Sequence, residues 1–274
     1  MKLFRLILLT SSICTVASAG AFPSSPQYIA LADSADNYIK AENWIMAEKT
    51  IVSALRLEPG NFSNSLLLSN LGVVQTRSGR PEDALESFRL SLSIAPKSSV
   101  AYANRARTYM QLGRYDEALN DINSTLDIDS VQEWPLQMRG FLLLNKNPQE
   151  AKSDFLQLSR LYPQNALAKT GLAAVAEHEG RNDEAIKLYT EAIEINDDPT
   201  VRFSRILLKI NMERYSDASE DISESLKLYP NEGDLYLLRG YLHKLNYRYE
   251  EADIDKKIAI DKGADIQVVE RFLP

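Results

Sequence analysis

The sequence predicts an all-α chain, an array of about seven stacked helix-turn-helix repeats closed by a C-terminal helix, and three observations carry that prediction. An alanine returns at Ala47, Ala84, Ala118, Ala151, Ala185, Ala218 and Ala252 with a step of 33 to 37 residues. A period of this length marks stacked supersecondary units rather than one globular core. Upstream of six of these alanines stands a small residue, Ala35, Gly72, Ala106, Gly140, Ala173 or Gly240, and just after six of them comes a bulky one: Ile51, Phe88, Ile122, Phe155, Tyr189 or Ile222. Small positions let two helix axes approach, and large side chains fill the space beside them. Punctuation is the third observation. Gly79, Gly113 and Gly180 fall where a first helix ends in a left-handed cap, and Pro81 and Pro148 fall at the first position of a second helix.

In chain order, Lys2 and Arg5 precede an apolar stretch from Leu6 to Val16, and Ala17-Ser18-Ala19 supplies small residues for cleavage. Residues 1–19 therefore read as a signal peptide, with 20–27 as a flexible leader. The apolar stretch is too short for a membrane anchor, and Ile13 stands before Cys14 where a lipoprotein signal needs a small residue. Repeats follow at 28–61, 65–98, 99–132, 133–165, 166–198, 199–232 and 233–263. Pro59, Pro96, Pro163 and Pro230 close four of them, while Ser130, Asp197 and Ala264 stand in that place elsewhere. Three extra residues fall near Gly60-Asn-Phe-Ser-Asn, and repeat four turns through Asn145-Lys-Asn-Pro148 without a glycine. Residues 264–274 read as a capping helix, with Ile266, Val269 and Phe272 facing the last repeat.

The fullest phrase runs from Ala101-Tyr-Ala-Asn-Arg-Ala-Arg-Thr-Tyr through Gly113-Arg-Tyr-Asp-Glu-Ala118, and it resembles the tetratricopeptide repeat. The resemblance covers roughly residues 28–263 and extends to exported bacterial members of that family. It implies a right-handed superhelical solenoid that binds a protein or peptide through a concave face of first helices. On that face it places Asn70, Arg77, Asn104 and Arg107, and farther along Trp134, Met138, Phe141, Phe203, Leu207 and Tyr241. Asn70 and Asn104 match asparagines that hold peptide backbone in some relatives, but the lysines of a carboxylate clamp are absent. The aromatic group reads either as packing between repeats or as a groove for an extended peptide or a partner helix.

Composition fits a folded chain, with 45% hydrophobic and 25% charged residues. The net charge is -7; without residues 1–19 it is 29 basic residues against 38 acidic, or -9. No concentrated basic run is present, which argues against nucleic acid. The sole cysteine, Cys14, leaves with the signal, so no thiol chemistry or disulfide is available afterwards. No phosphate loop, nucleophile elbow or metal-spaced histidine pair occurs. His178 and His243 read as packing or surface residues, and Asp127 with Asp129 lacks the rest of a calcium loop. No cofactor, metal or catalytic residue is expected.

One correlation goes further. Repeats three, four, six and seven carry Arg105, Arg139, Arg205 and Arg239 on the first helix, and the same repeats carry Asp121, Asp154, Asp221 and Asp255 on the second. Repeats one, two and five carry Ser34, Leu71 and Leu172 with Thr50, Ser87 and Leu188. Positions that vary together usually touch, so each arginine is expected to pair with its own repeat's aspartate across the hairpin. The alternative is that the arginines line an anion site. Three functional classes follow: an exported, periplasmic interaction scaffold; a structural subunit of an envelope assembly held by its convex face or ends; and a glycan-binding protein or enzyme, for which no constellation of acid, base and nucleophile appears.

Overall fold

The computed structural model describes residues 24–274. The proposed signal peptide and most of the leader lie outside the described residues. Among those described, fifteen α-helices occur and no strand: α1 Pro26–Lys40, α2 Trp44–Leu57, α3 Asn64–Arg77, α4 Pro81–Ile94, α5 Ser99–Gln111, α6 Tyr115–Ile128, α7 Glu133–Leu143, α8 Pro148–Leu161, α9 Ala166–His178, α10 Asn182–Ile195, α11 Pro199–Asn211, α12 Tyr215–Leu228, α13 Gly233–Leu245, α14 Tyr249–Asp261 and α15 Ile266–Phe272. The chain forms two compact units, one up to Pro135 and the other from Leu136.

Within the first unit α1 packs on α2, α3 on α4 and α5 on α6, while α2 contacts α3, α4 contacts α5, and α3 touches α5 directly. Each short hairpin thus shares its apolar faces with its neighbours, which a lone hairpin could not do. The core runs through Tyr28, Ala35, Ala47, Ile51, Leu67, Leu71 and Val74. A side-chain carbon on Gly72 would lie 2.7 Å from the Phe88 ring, so only glycine lets α3 and α4 close on that aromatic. The longer connection after α2 is internally bonded. Asn64 is buried, donating to the Glu58 and Pro59 carbonyls and accepting from the Tyr28 hydroxyl.

The second unit repeats the pattern in α8 against α9, α9 against α10, α10 against α11, α11 against α12 and α13 against α14. Phe155 is fully buried, and side-chain carbons on Gly140 and Gly171 would lie 2.7 and 2.3 Å from its ring. Gly171 thus shares with Gly140 the task of making room for a wedge.

Three of the seven hairpins turn through a left-handed residue that is not glycine. Gly79, Gly113 and Gly180 take φ of +75°, +71° and +73°, yet Glu42, Glu213 and Tyr247 take the same left-handed conformation at +54° to +60°. In those three turns the tertiary packing imposes a backbone that glycine would adopt without strain. The turn after α7 closes through bonds to the Leu143 carbonyl from the amides of Lys146 and Asn147, and Asn147 caps α8.

The terminal helix α15 contacts α13 and α14. Its inward face differs from the expected one. Val269 and Leu273 are buried, whereas Ile266 is exposed. Asp265 caps the helix with its side chain, so Ile266 occupies the first position and the buried pair falls one turn apart beyond it. Phe272 stacks edge-on against Tyr241 at 5.0 Å.

Candidate functional site

The four repeats that carry arginine show one geometry. Arg105 donates from Nε and Nη2 to both carboxylate oxygens of Asp121 at 2.7 Å, Arg139 to Asp154 at 2.8 and 2.6 Å, Arg205 to Asp221 at 2.8 and 2.7 Å, and Arg239 to Asp255 at 2.8 and 2.6 Å. All four aspartates are buried. Two parallel bonds between a planar fork and a carboxylate fix the register of one helix on the other. The bond to the carboxylate holds the Arg105 and Arg239 guanidiniums above their ordinary pKa, so both arginines keep their charge. With their charge engaged, these arginines are poor anion ligands.

In repeats six and seven the position four residues beyond the arginine also reaches the second helix. In repeat six Lys209 donates to Asp221 at 2.9 Å; in repeat seven His243 Nε2 stands 3.7 Å from Asp255. In repeat two, where Leu71 replaces arginine, Ser87 donates to Gln75 at 2.6 Å. A residue four positions on lies one helical turn away on the same face, which is the signal that would have found it. Repeat one uses no cross-helix bond here, since Ser34 and Thr50 each donate to a carbonyl of their own helix. Leu188 packs into the core beside Ala185 and Tyr189.

The first-unit face of α3 and α5 is polar and open. Asn104 donates to Ser69 at 3.4 Å, the hydroxyls of Thr76 and Thr108 meet at 2.9 Å, and Asn70 is half-buried. Arg107 lies with its guanidinium 4.0 Å from the centre of the Trp134 ring and reaches Asn104 at 3.4 Å. Arg77 is exposed. These five predicted residues therefore divide into a stacked pair, two amides and an open cation.

The second-unit residues are engaged in packing. Phe141 meets Phe155 edge-on at 5.0 Å; Phe203, Leu207 and Tyr241 pack against the core around Ile206 and Leu238, and Met138 is half-buried. They pack against the core and remain half-buried, as Asn70 and Asn104 are. Among the described residues no group of acidic, histidine or cysteine side chains could hold a metal, and no helix is long and apolar enough to cross a membrane.

Models of the tetratricopeptide repeat match residues 75–129 and 143–199. The chain carries tetratricopeptide repeats. The crystal structure of a tetratricopeptide repeat protein from Parabacteroides merdae superposes with a TM-score of 0.72 at 29% identity, covering 91% of this chain and 98% of that one. PilF of Pseudomonas aeruginosa shares the fold, with a TM-score of 0.61 at 20% identity over 76% of this chain and 96% of its own. Sperm-associated antigen 1 of Mus musculus is 34% identical over 110 residues, which is 40% of this chain but only 12% of that protein. The tetratricopeptide repeats thus match a limited part of such curated relatives.

The hydrogen bonds that tie the start of α1 to the end of α2 set an acid limit on stability. Ser25 donates its backbone and hydroxyl to Glu58, and Asn61 donates to the other carboxylate oxygen. These bonds, with the Ser25 hydroxyl foremost, hold Glu58 below the usual carboxylate range; Arg202 does the same for Asp197. A depressed carboxylate stabilises the fold above its unfolded pKa and ceases to as pH falls through its folded one. Thermal stability is expected to hold from neutrality to about pH 5 and to fall below about pH 4. Glu58→Gln should flatten part of that fall in a series of melting curves, and an unchanged acid limb would contradict the assignment.

Proposed function

We propose that this protein is an exported, non-catalytic interaction scaffold, working in the periplasm and binding a protein partner on the first-helix face of α3 and α5. The observation that carries the reading is the contrast between units. The face of α3 and α5 carries two exposed cations, Arg77 and Arg107, beside half-buried asparagines, whereas the half-buried aromatic group of the second unit packs against its own core. Its stacked-hairpin repeats support a binding role. Export rests on Lys2, Arg5, the apolar run and Ala17-Ser18-Ala19.

Two measurements test this. N-terminal sequencing after cell fractionation should find a chain beginning at Gly20 in the periplasmic fraction; an intact chain in the cytosol would overturn export. Asn104→Ala with Arg107→Ala should abolish partner recovery while leaving the circular dichroism melt within about 1 kcal/mol of the parent, because Arg107 is exposed and Asn104, half-buried, makes only long bonds of 3.4 Å. Leu228→Asp, on an exposed position of the second helix of repeat six, should leave recovery intact. The reverse pattern would favour a structural subunit held by its convex face.

A further inference from the structure

Three exposed apolar residues stand at the same place in the first three repeats. Ile29 in α1, Leu66 in α3 and Val100 in α5 each lie six residues before the small residue of their helix and are 49%, 58% and 53% exposed. Residues 66, 70 and 77 share one face of α3 by helical spacing, as do 100, 104 and 107 on α5. Each face therefore begins with an apolar residue, continues with an asparagine and ends with an arginine. Arg80, Arg89, Arg105 and Arg114 each hold a carboxylate, but Arg77 and Arg107 meet none among the described residues. In a chain of net charge -7, an uncompensated pair of cations on one face is a local reversal of sign.

We infer that this face takes an amphipathic helix of a partner protein, laid across α1, α3 and α5 with its apolar edge on Ile29, Leu66 and Val100 and its carboxylates over Arg107 and Arg77. The inference rests on the proposed binding role of this face and names what it binds. Spacing decides for a helix. The short side chains of Thr76 and Thr108 touch at 2.9 Å, so α3 and α5 are direct neighbours with axes about 8–10 Å apart. A partner helix repeats its face every seven residues, or about 10.5 Å. An extended chain repeats a face about every 6.7 Å and falls out of step with the apolar row. Width agrees at Arg107, and Arg77 lies about one turn farther out, within reach of a long acidic side chain at the partner's edge. Seven and eleven residues separate the apolar row from Arg107 and Arg77, about 10 and 16 Å along the helix, and a partner helix is about 10–12 Å across. On α1 the corresponding face carries Asp33 and Asp36, so the partner's carboxylates belong over α3 and α5 and not over α1.

The test is a display selection of random 18-residue peptides on the immobilised chain beginning at Gly20. The expected result is enrichment of sequences with apolar residues at helical spacing and Asp or Glu along the adjoining edge. Their affinity should fall about tenfold or more in Leu66→Glu and in Arg77→Glu, and less in Arg77→Gln, with circular dichroism showing each variant folded. Enriched peptides without helical periodicity or without acids, or peptides indifferent to Leu66→Glu and Arg77→Glu, would overturn this inference and leave the scaffold reading standing. A selection that enriches nothing would count against both.

Discussion

Truncating Phe155 to alanine is expected to cost about 3–5 kcal/mol of stability, measured by urea unfolding of the purified chain. The ring is fully buried and sits so close to Gly140 and Gly171 that neither could carry a side-chain carbon. Removing it leaves a cavity walled partly by helix backbone, which cannot move in to fill the space. The converse substitution is informative. Gly171→Ala would drive a carbon to 2.3 Å from the ring and is expected to cost about 1–3 kcal/mol. Combining it with Phe155→Leu should recover part of that loss, since the smaller side chain gives the new methyl room. Additive losses would show that the two positions do not meet.

The second large effect is expected at Asp221. Its carboxylate holds Arg205 through two bonds and Lys209 at 2.9 Å, with Arg202 Nη1 at 3.9 Å. Asp221→Ala would strand cations whose side chains are only 11% and 14% exposed at Arg205 and Lys209, and is expected to cost about 3–5 kcal/mol. Asp255→Ala should cost less, because Arg239 is 37% exposed and can turn to water. Replacing both members of one pair is a different matter. Arg105→Leu with Asp121→Leu, which copies the Leu172 and Leu188 of repeat five, is expected to be nearly neutral, because desolvation offsets most of the attraction within an intact pair. Urea midpoints that rank Asp255 above Asp221, or a double variant as damaging as a single one, would contradict this account of the pairs.

Much of the fold was legible because the array encodes itself repeatedly. The alanine period, the small and large positions and the arginine–aspartate correlation each recur on a common register, so any one repeat checks the others. What was not legible depended on single contacts. Gly171 lies two residues before the small position of its helix and makes room for the aromatic of the preceding repeat, a relation the within-repeat pattern does not express. Gln75 takes over for a missing arginine from one turn farther on. Ile266 faces outward because a side-chain cap sets where α15 begins.

The candidate site was read in part. A first-helix position can face a ligand or a neighbouring repeat, and only packing separates the two. Asn104, Arg107 and Trp134 form one group around an exposed cation, whereas Phe141 and Tyr241 are stacked on Phe155 and Phe272. The apolar row of Ile29, Leu66 and Val100 does not stand out in the sequence because isolated surface apolar residues are ordinary; their common register is what sets them apart.

The most direct measurement places a photo-crosslinking amino acid in turn at Val100, on the first-helix face, and at Leu228, on an exposed second helix, in cells making the exported chain. Both positions are more than half exposed, so reach is equal. Crosslinks at Val100 that vanish in Arg77→Glu, with none at Leu228, are the predicted result. Crosslinks to the same partner at Leu228 and not at Val100 would contradict recognition through the first-helix face.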